Sequence, residues 1–256
     1  MSVATGEDAG PMADASGSQQ IIQSVADLLK AVRGSQASGR RWFRGQRDHL
    51  WGLQPGVARK SAHFSEEVTL LKEFKRDAAN RTNFRPSDGW EWLTLAQHYG
   101  LPTRLLDWTE DPLVALYFAC EVPTNSTDDI EDGKFFELDP DVLNRESNPS
   151  GPALLLLSHD AHLDGYLPES GDAEANGPLA VTSMRYFDRV TAQVGTFTVA
   201  KNGEDLIGHA AVETWIVPLA AKKLILTELA DLKINESTVY PDLGHLAKHI
   251  KEVYDR

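Results

Sequence analysis

Residues able to do chemistry crowd into one stretch of the chain, Ala96-Gln97-His98-Tyr99-Gly100-Leu101-Pro102-Thr103-Arg104-Leu105-Leu106-Asp107-Trp108-Thr109. A carboxylate, an imidazole, a guanidinium, two aromatic rings and hydroxyls lie within reach of one another there. Such a set can bind an anion, stack on a ring, or move a proton. A plainer reading stays open. Thr109, Glu110 and Asp111 before Pro112 suit a helix cap, and Arg104 suits an ion pair.

The elements that must position these residues can be read on either side. Gly100 and Pro102 stop a helix running from about Asp88 to Tyr99, because glycine takes the left-handed residue past the last turn and proline cannot continue. Leu105 and Leu106 begin a short apolar strand that ends at Asp107-Trp108-Thr109. Pro112 suits a first helical turn, and Ala115, Phe118 and Ala119 recur at helical spacing behind it. Asp107 to Thr109 therefore belongs at a strand tip feeding a helix, where side chains and backbone N–H groups can meet a ligand. Upstream, Arg40-Arg41-Trp42-Phe43-Arg44-Gly45-Gln46 alternates aromatic and basic positions like a strand. Arg44 then points away from Phe43, and Gly45 lets a ligand or another backbone approach closely. An edge strand with solvated arginines is the alternative.

Composition narrows the classes. A chain of 256 residues with 41% hydrophobic content can bury a sizeable core. Its formal charge of −13 argues against a general nucleic-acid surface or an anionic-membrane binder, which need a basic footprint. No apolar run approaches a membrane span, and the amino-terminal residues lack the basic start of a secretory signal. The one cysteine, Cys120, has no disulfide partner within the chain. It falls on the apolar side of the Pro112 helix as a buried, inert thiol, and a reducing cytoplasm is expected.

Residues 1–19 carry almost nothing to bury and are expected to form a disordered tail, with a single domain over residues 20–256. Ser24 with Asp27 starts a first helix that ends near Gly34. Ser65 is expected to cap a helix through about Asn80, and residues 48–60 to form a loop. Lys134 to Leu138 and Ala153 to Leu157 read as strands, the second apolar enough to be central. The region from His159 to Ala180 reads as loop. Strands are further expected at Val181 to Phe187, Gly195 to Val199 and Val212 to Val217, then helices opened by Pro218 and Pro241. His159-Asp160-Ala161-His162 and the His245/His249 pair have metal-capable types but no complete ligand set, so no metal is expected. Glycine-rich phosphate loops and the Gly-x-Ser-x-Gly elbow are missing.

Trp42-Phe43-Arg44-Gly45-Gln46 and the long stretch Gln97 to Thr109, then Pro112 to Ala119, resemble the FRG-domain family, named for its Phe-Arg-Gly motif. Gln193-Val194-Gly195-Thr196-Phe197 and Tyr240-Pro241-Asp242-Leu243 add to the likeness, which spans about residues 20–253. A remoter resemblance is to ADP-ribosyltransferases of the Arg-Ser-Glu class. In these an aromatic-Arg-Gly strand holds NAD, a Ser-Thr-Ser strand leads into a helix with a small-x-x-Phe pattern, and a glutamate on a third strand polarises the ribose. Phe43-Arg44-Gly45 resembles the first part, and Leu106-Asp107-Trp108-Thr109 with Ala115-x-x-Phe118 a variant of the second. The chain departs at Gln193, where a transferase carries glutamate, so Asp107 or Glu213 would have to supply the charge.

The resemblance implies an α+β fold, a split and largely antiparallel sheet with flanking helices, and an ADP-ribosyltransferase-like cleft binding NAD. In that cleft Arg44, Asp107, Thr109 and Gln193 are the candidate catalytic residues. Arg44, Gly45, Gln46, His98, Tyr99, Arg104 and Trp108 are the candidates for holding NAD or a similar nucleotide. Two other functions stay open: a binding or interaction module using the same cleft without catalysis, and a nuclease or hydrolase using His98 and Asp107.

Overall fold

The structure is a computed structural model and describes residues 20–254 apart from 36, 38, 83, 122–130, 172–175, 185–194 and 241. The expected tail, Gln193 and most of the acidic loop after Cys120 lie outside the described residues. Six strands form one open antiparallel sheet: β1 (Trp42–Gln46), β2 (Leu105–Thr109), β3 (Gly133–Leu138), β4 (Leu179–Thr182), β5 (Gly195–Val199) and β6 (Val212–Val217). Their order is β4-β5-β2-β1-β3-β6. With the flanking helices this is an α+β fold.

Pairing strength varies across the sheet. β1 pairs with β3, β3 with β6, and β2 with β5 along their whole lengths. The join between β1 and β2 has one registered pair, Phe43 opposite Thr109. Continuing that register would set Gly45 opposite Asp107, but the strands part before this. The sheet is thus two three-stranded halves held at a narrow seam, which is the form the expected split takes.

One face carries most of the helices. Phe43 and Thr109 are direct partners and share a face, and alternation along β2 puts Asp107 and Leu105 on it too. Over the β1-β3-β6 half lie α1 (Val25–Gly34), α5 (Pro112–Cys120), α7 (Leu219–Asp231) and α8 (Glu236–Val239), burying Phe43, Phe135, Trp215 and Val217. Over the β2-β5-β4 half lie α3 (Glu67–Ala78) and α4 (Gly89–His98), burying Leu105, Phe197, Val199 and Val181. The opposite face packs Trp42, Leu106, Trp108 and Phe136 under Leu143 of α6 (Pro140–Ser147) and under Leu53 and Leu206. The short α2 (Ser61–Ser65) and the terminal α9 (Leu243–Tyr254) complete the helices among the described residues.

Local signals account for most boundaries. The Ser24 hydroxyl accepts from the Asp27 N–H at 3.1 Å and so starts α1. Asp88 caps α4 through the Glu91 N–H at 2.9 Å, and Gly100, at φ +84°, ends it in the left-handed region. α5 is apolar on every side, as a helix buried all round must be.

Three expectations are corrected. Ser65 is the last residue of α2 and does not cap α3, whose entry at Glu66 makes no side-chain cap bond. Residues 153–157 are not a central strand. They run beside β4 with one parallel bridge, Leu156 to Thr182, and bury Leu155 and Leu157 while Leu154 stays exposed. Burial of alternate leucines satisfied the core there without a ladder. Finally, residues 139–147 hold a helix that the sequence reading passed over, although Asp139 before Pro140 is a cap signal, with Asp139 accepting from Asp141 and Val142 at 3.0 Å.

α5 approaches β1 and β3 with backbone nearly against backbone. A Cβ built on Gly45 would lie 1.9 Å from the Ala115 carbonyl oxygen and 2.5 Å from the Ala119 nitrogen. On Gly133 it would lie 2.2 Å from the Ala119 oxygen. These obstacles are helix backbone and cannot rotate aside. Gly45→Ala should therefore cost about 3 kcal/mol or more, as overpacking against fixed atoms does. Gly34→Ala, with nothing within 4 Å, should stay within about 0.5 kcal/mol of wild type. Urea unfolding of both variants checks this, and equal stabilities would show that α5 is free to retreat.

Candidate functional site

Where β1 and β2 part, a pocket of about 540 Å³ opens, lined by Phe43, Arg44 and Gly45 of β1, Asp107, Trp108 and Thr109 of β2, and Phe197 of β5. α4 and its end supply Thr94, Gln97, His98, Tyr99 and Gly100, and α5 supplies Ala115 and Phe118. Two motifs some sixty residues apart in sequence therefore meet here because their strands are neighbours. A volume of this size with an aromatic lining and a few polar groups is typical of a small-molecule site.

Arg44 is the cation of the pocket. Its register partner Phe136 belongs to the cluster on the face opposite the helices, so the side chain enters the seam from that side. One guanidinium nitrogen donates to the Asp107 backbone oxygen at 2.6 Å, replacing the ladder bond that the parted strands do not make. Its Nε is shut off from solvent and has no hydrogen-bond partner among the described residues. Burial pushes the guanidinium down to about 10, against the pull of Asp107 and with a further push from Arg59. It stays charged at neutral pH, with donor capacity unspent.

Asp107 is exposed at the rim. Its Oδ2 accepts from the Gln97 Nε2 at 2.8 Å. Trp108 is a wall of the pocket more than a plate for stacking, being 3% exposed with its indole N–H donated to Thr198 Oγ1 at 3.1 Å. Tyr99 is 66% exposed and packs edge-on against His98, their centroids 4.9 Å apart, so it is the ring with a free face at the mouth. Thr109 Oγ1 accepts from the Asp111 N–H at 3.1 Å. The cap of α5 is Asp111, which accepts from Leu113 and Val114, so those N–H groups are spent on the cap and do not face a ligand.

Of the other residues singled out in the sequence, Gln46 is buried beyond the pocket and donates to the Gly52 oxygen at 3.2 Å. Gly45 lines the pocket, but its missing side chain makes room for α5. Arg104 does not line the pocket. It is buried, pairs with Glu67 at 2.5 Å from Nη2 and 3.0 Å from Nε, and donates to the Tyr166 oxygen at 2.6 Å. Glu213 lies on β6, opposite Glu137 and separated from β2 by two strands. Asp107 is accordingly the carboxylate lining the pocket among the described residues. Cys120 is fully buried, and burial pushes its thiol up to about 12, which fits an inert role.

No group of three or more histidine, cysteine or acidic side chains suited to a metal occurs among the described residues. Also among them, no helix is long and apolar enough to cross a membrane. Gln97, Thr94, Phe118 and Phe197 are pocket residues that sequence reading did not select. Gln97 could have been found, because it lies one helical position before His98 on the turn that meets the seam.

A family model described as the FRG domain matches residues 39–128. The chain carries an FRG domain. The matched span runs from the residue before Arg40, through β1, α4 and β2, to the segment after α5, so the FRG domain holds both strands of the seam. No curated protein and no solved structure matches the chain.

The Arg104–Glu67 pair makes a prediction that separates packing from ligand contact. Glu67→Ala leaves a buried guanidinium without its counter-charge and should cost about 3–5 kcal/mol. Unfolding measurements without any ligand will register this; an unaffected stability would mean that water or another carboxylate reaches Arg104.

Proposed function

We propose that the FRG domain of this chain binds an NAD-class nucleotide in the seam pocket. The observation that supports this reading most is Arg44, a cation inside an aromatic-walled pocket whose Nε is buried and unpartnered. A guanidinium of that kind suits a phosphate, which accepts from its fork in pairs. Tyr99 would stack on a ring, Thr109 would bond a ribose hydroxyl, and Asp107 would stand near the sugar.

In the stronger form of the proposal the site is an ADP-ribosyltransferase-like enzyme. Loss of nicotinamide leaves positive charge on the ribose, and a carboxylate fixed nearby stabilises it. Among the groups that line the pocket, Asp107 can do so. A second reading, binding without turnover, is supported by the Gln97 bond that already occupies one Asp107 oxygen. Release of nicotinamide from NAD without added metal distinguishes the two, and metal-dependent cleavage of another bond would favour a hydrolase built on His98 and Asp107 instead.

The test of binding uses Arg44. Hydrogen bonds to charged groups contribute about 1.5–3 kcal/mol, so Arg44→Ala should weaken NAD or ADP-ribose binding roughly ten- to a hundred-fold. Arg44→Lys should not rescue it, because a point ammonium cannot reproduce the fork. Since Arg44 also bonds the Asp107 backbone, the melting temperature of the free protein should be measured beside the affinity. A less stable variant with unchanged affinity would leave Arg44 as a brace of the seam and sink the phosphate reading.

A further inference from the structure

Gln97 and Thr103 form a chain of hydrogen bonds that ends on Asp107. The Thr103 hydroxyl is buried and accepts from the Leu105 N–H at 3.1 Å, so its single hydrogen is available for one partner. That partner is the Gln97 Oε1, at 2.6 Å. With its oxygen end held, the Gln97 amide can present only its NH₂ end to the seam. There the nitrogen donates to the Asp107 Oδ2 at 2.8 Å and to the Leu105 oxygen at 3.3 Å. Reversing the amide would set its oxygen against a carboxylate and a carbonyl, neither of which has a hydrogen to donate. The three bonds therefore fix one orientation.

The consequence lies on the other carboxylate oxygen. Asp107 Oδ1 accepts no hydrogen bond among the described residues, and Asp107 lines the pocket. The carboxylate is turned by Gln97 so that one oxygen is spent and the other is open, and an open carboxylate oxygen accepts but does not donate. We propose that Gln97 and Thr103 are positioning residues that set Asp107 as a one-sided acceptor, so that the pocket selects a ligand offering a hydroxyl at that point. Resting on the nucleotide reading above, this names the ligand as one with free sugar hydroxyls and rejects its deoxy counterpart. Rejection is strong in such sites because the analogue leaves a polar group unpaired.

Two measurements test the proposal. The first needs no ligand: in the amide NMR spectrum the Gln97 side-chain NH₂ pair should be shifted and slow to exchange. Thr103→Val should move it to the position of a free amide, and Thr103→Ser should leave it in place. The second compares ADP-ribose with its analogue lacking the 2- and 3-hydroxyls of the terminal ribose, the sugar that Asp107 would face. The wild type should favour ADP-ribose by at least ten-fold, and Thr103→Val and the near-isostere Gln97→Met should bring that ratio close to one while affinity for the dideoxy analogue changes little. Equal binding of the two probes by wild type, or discrimination that survives in the folded variants, overturns the proposal. So does a Gln97 signal indistinguishable from a free amide in wild type. If neither probe binds, the nucleotide reading and the hydroxyl selection fall together, whereas the amide signal still reports separately on whether Thr103 and Gln97 orient Asp107.

Discussion

The approach of α5 to the sheet is the constraint on which the rest depends. Interdigitating side chains normally hold a helix well above the strands it covers. Here Gly45 and Gly133 remove the side chains on the strand side, and Ala115 and Ala119 keep them small on the helix side. The backbones meet, and α5 sinks onto β1 and β3. Because α5 follows β2 after a two-residue turn, its depth also sets where β2 ends relative to β1. The pocket exists because β1 is committed to this helix and to β3, and β2 to β5 and α4, leaving one strand pair to join them.

This gives each letter of the Phe-Arg-Gly motif a separate physical task. Phe43 fills the core under α5, stacked on Phe135 with centroids 5.8 Å apart. Arg44 occupies the opening of the seam and replaces a backbone bond. Gly45 admits the helix. Consecutive residues can divide the work this way because a strand sends alternate side chains to opposite faces. The seam lets one of them both brace the strands and line the pocket.

Much of this was legible in the sequence where local chemistry decides. Gly100, Pro102 and Pro112 marked real boundaries, and the family resemblance led to the expectation that Arg44 and Asp107 share a cleft, which the neighbouring strands β1 and β2 provide. What was hidden depends on distance in sequence. Arg104 sat in the densest functional stretch, and only the fold reveals Glu67 and the Tyr166 carbonyl as its partners. The apolar run at residues 153–157 has strand composition, yet pairing needs an open edge beside it, and β4 offered a single bridge. Gln97 carries no charge, and although it opens the longer motif, its bonds to Thr103 and Asp107 appear only in the fold.

The strand order has a further meaning for the span matched by the family. Residues 39–128 include β1 and β2, the two central strands, but stop before β3 and β5, which cover their outer sides. Cut at that boundary, the segment would expose two unpaired backbone edges, and Phe43 and Leu105 would lose much of the apolar surroundings that bury them. The match thus lies in the middle of the sheet, and the strands that cover its two outer edges come from outside the matched residues.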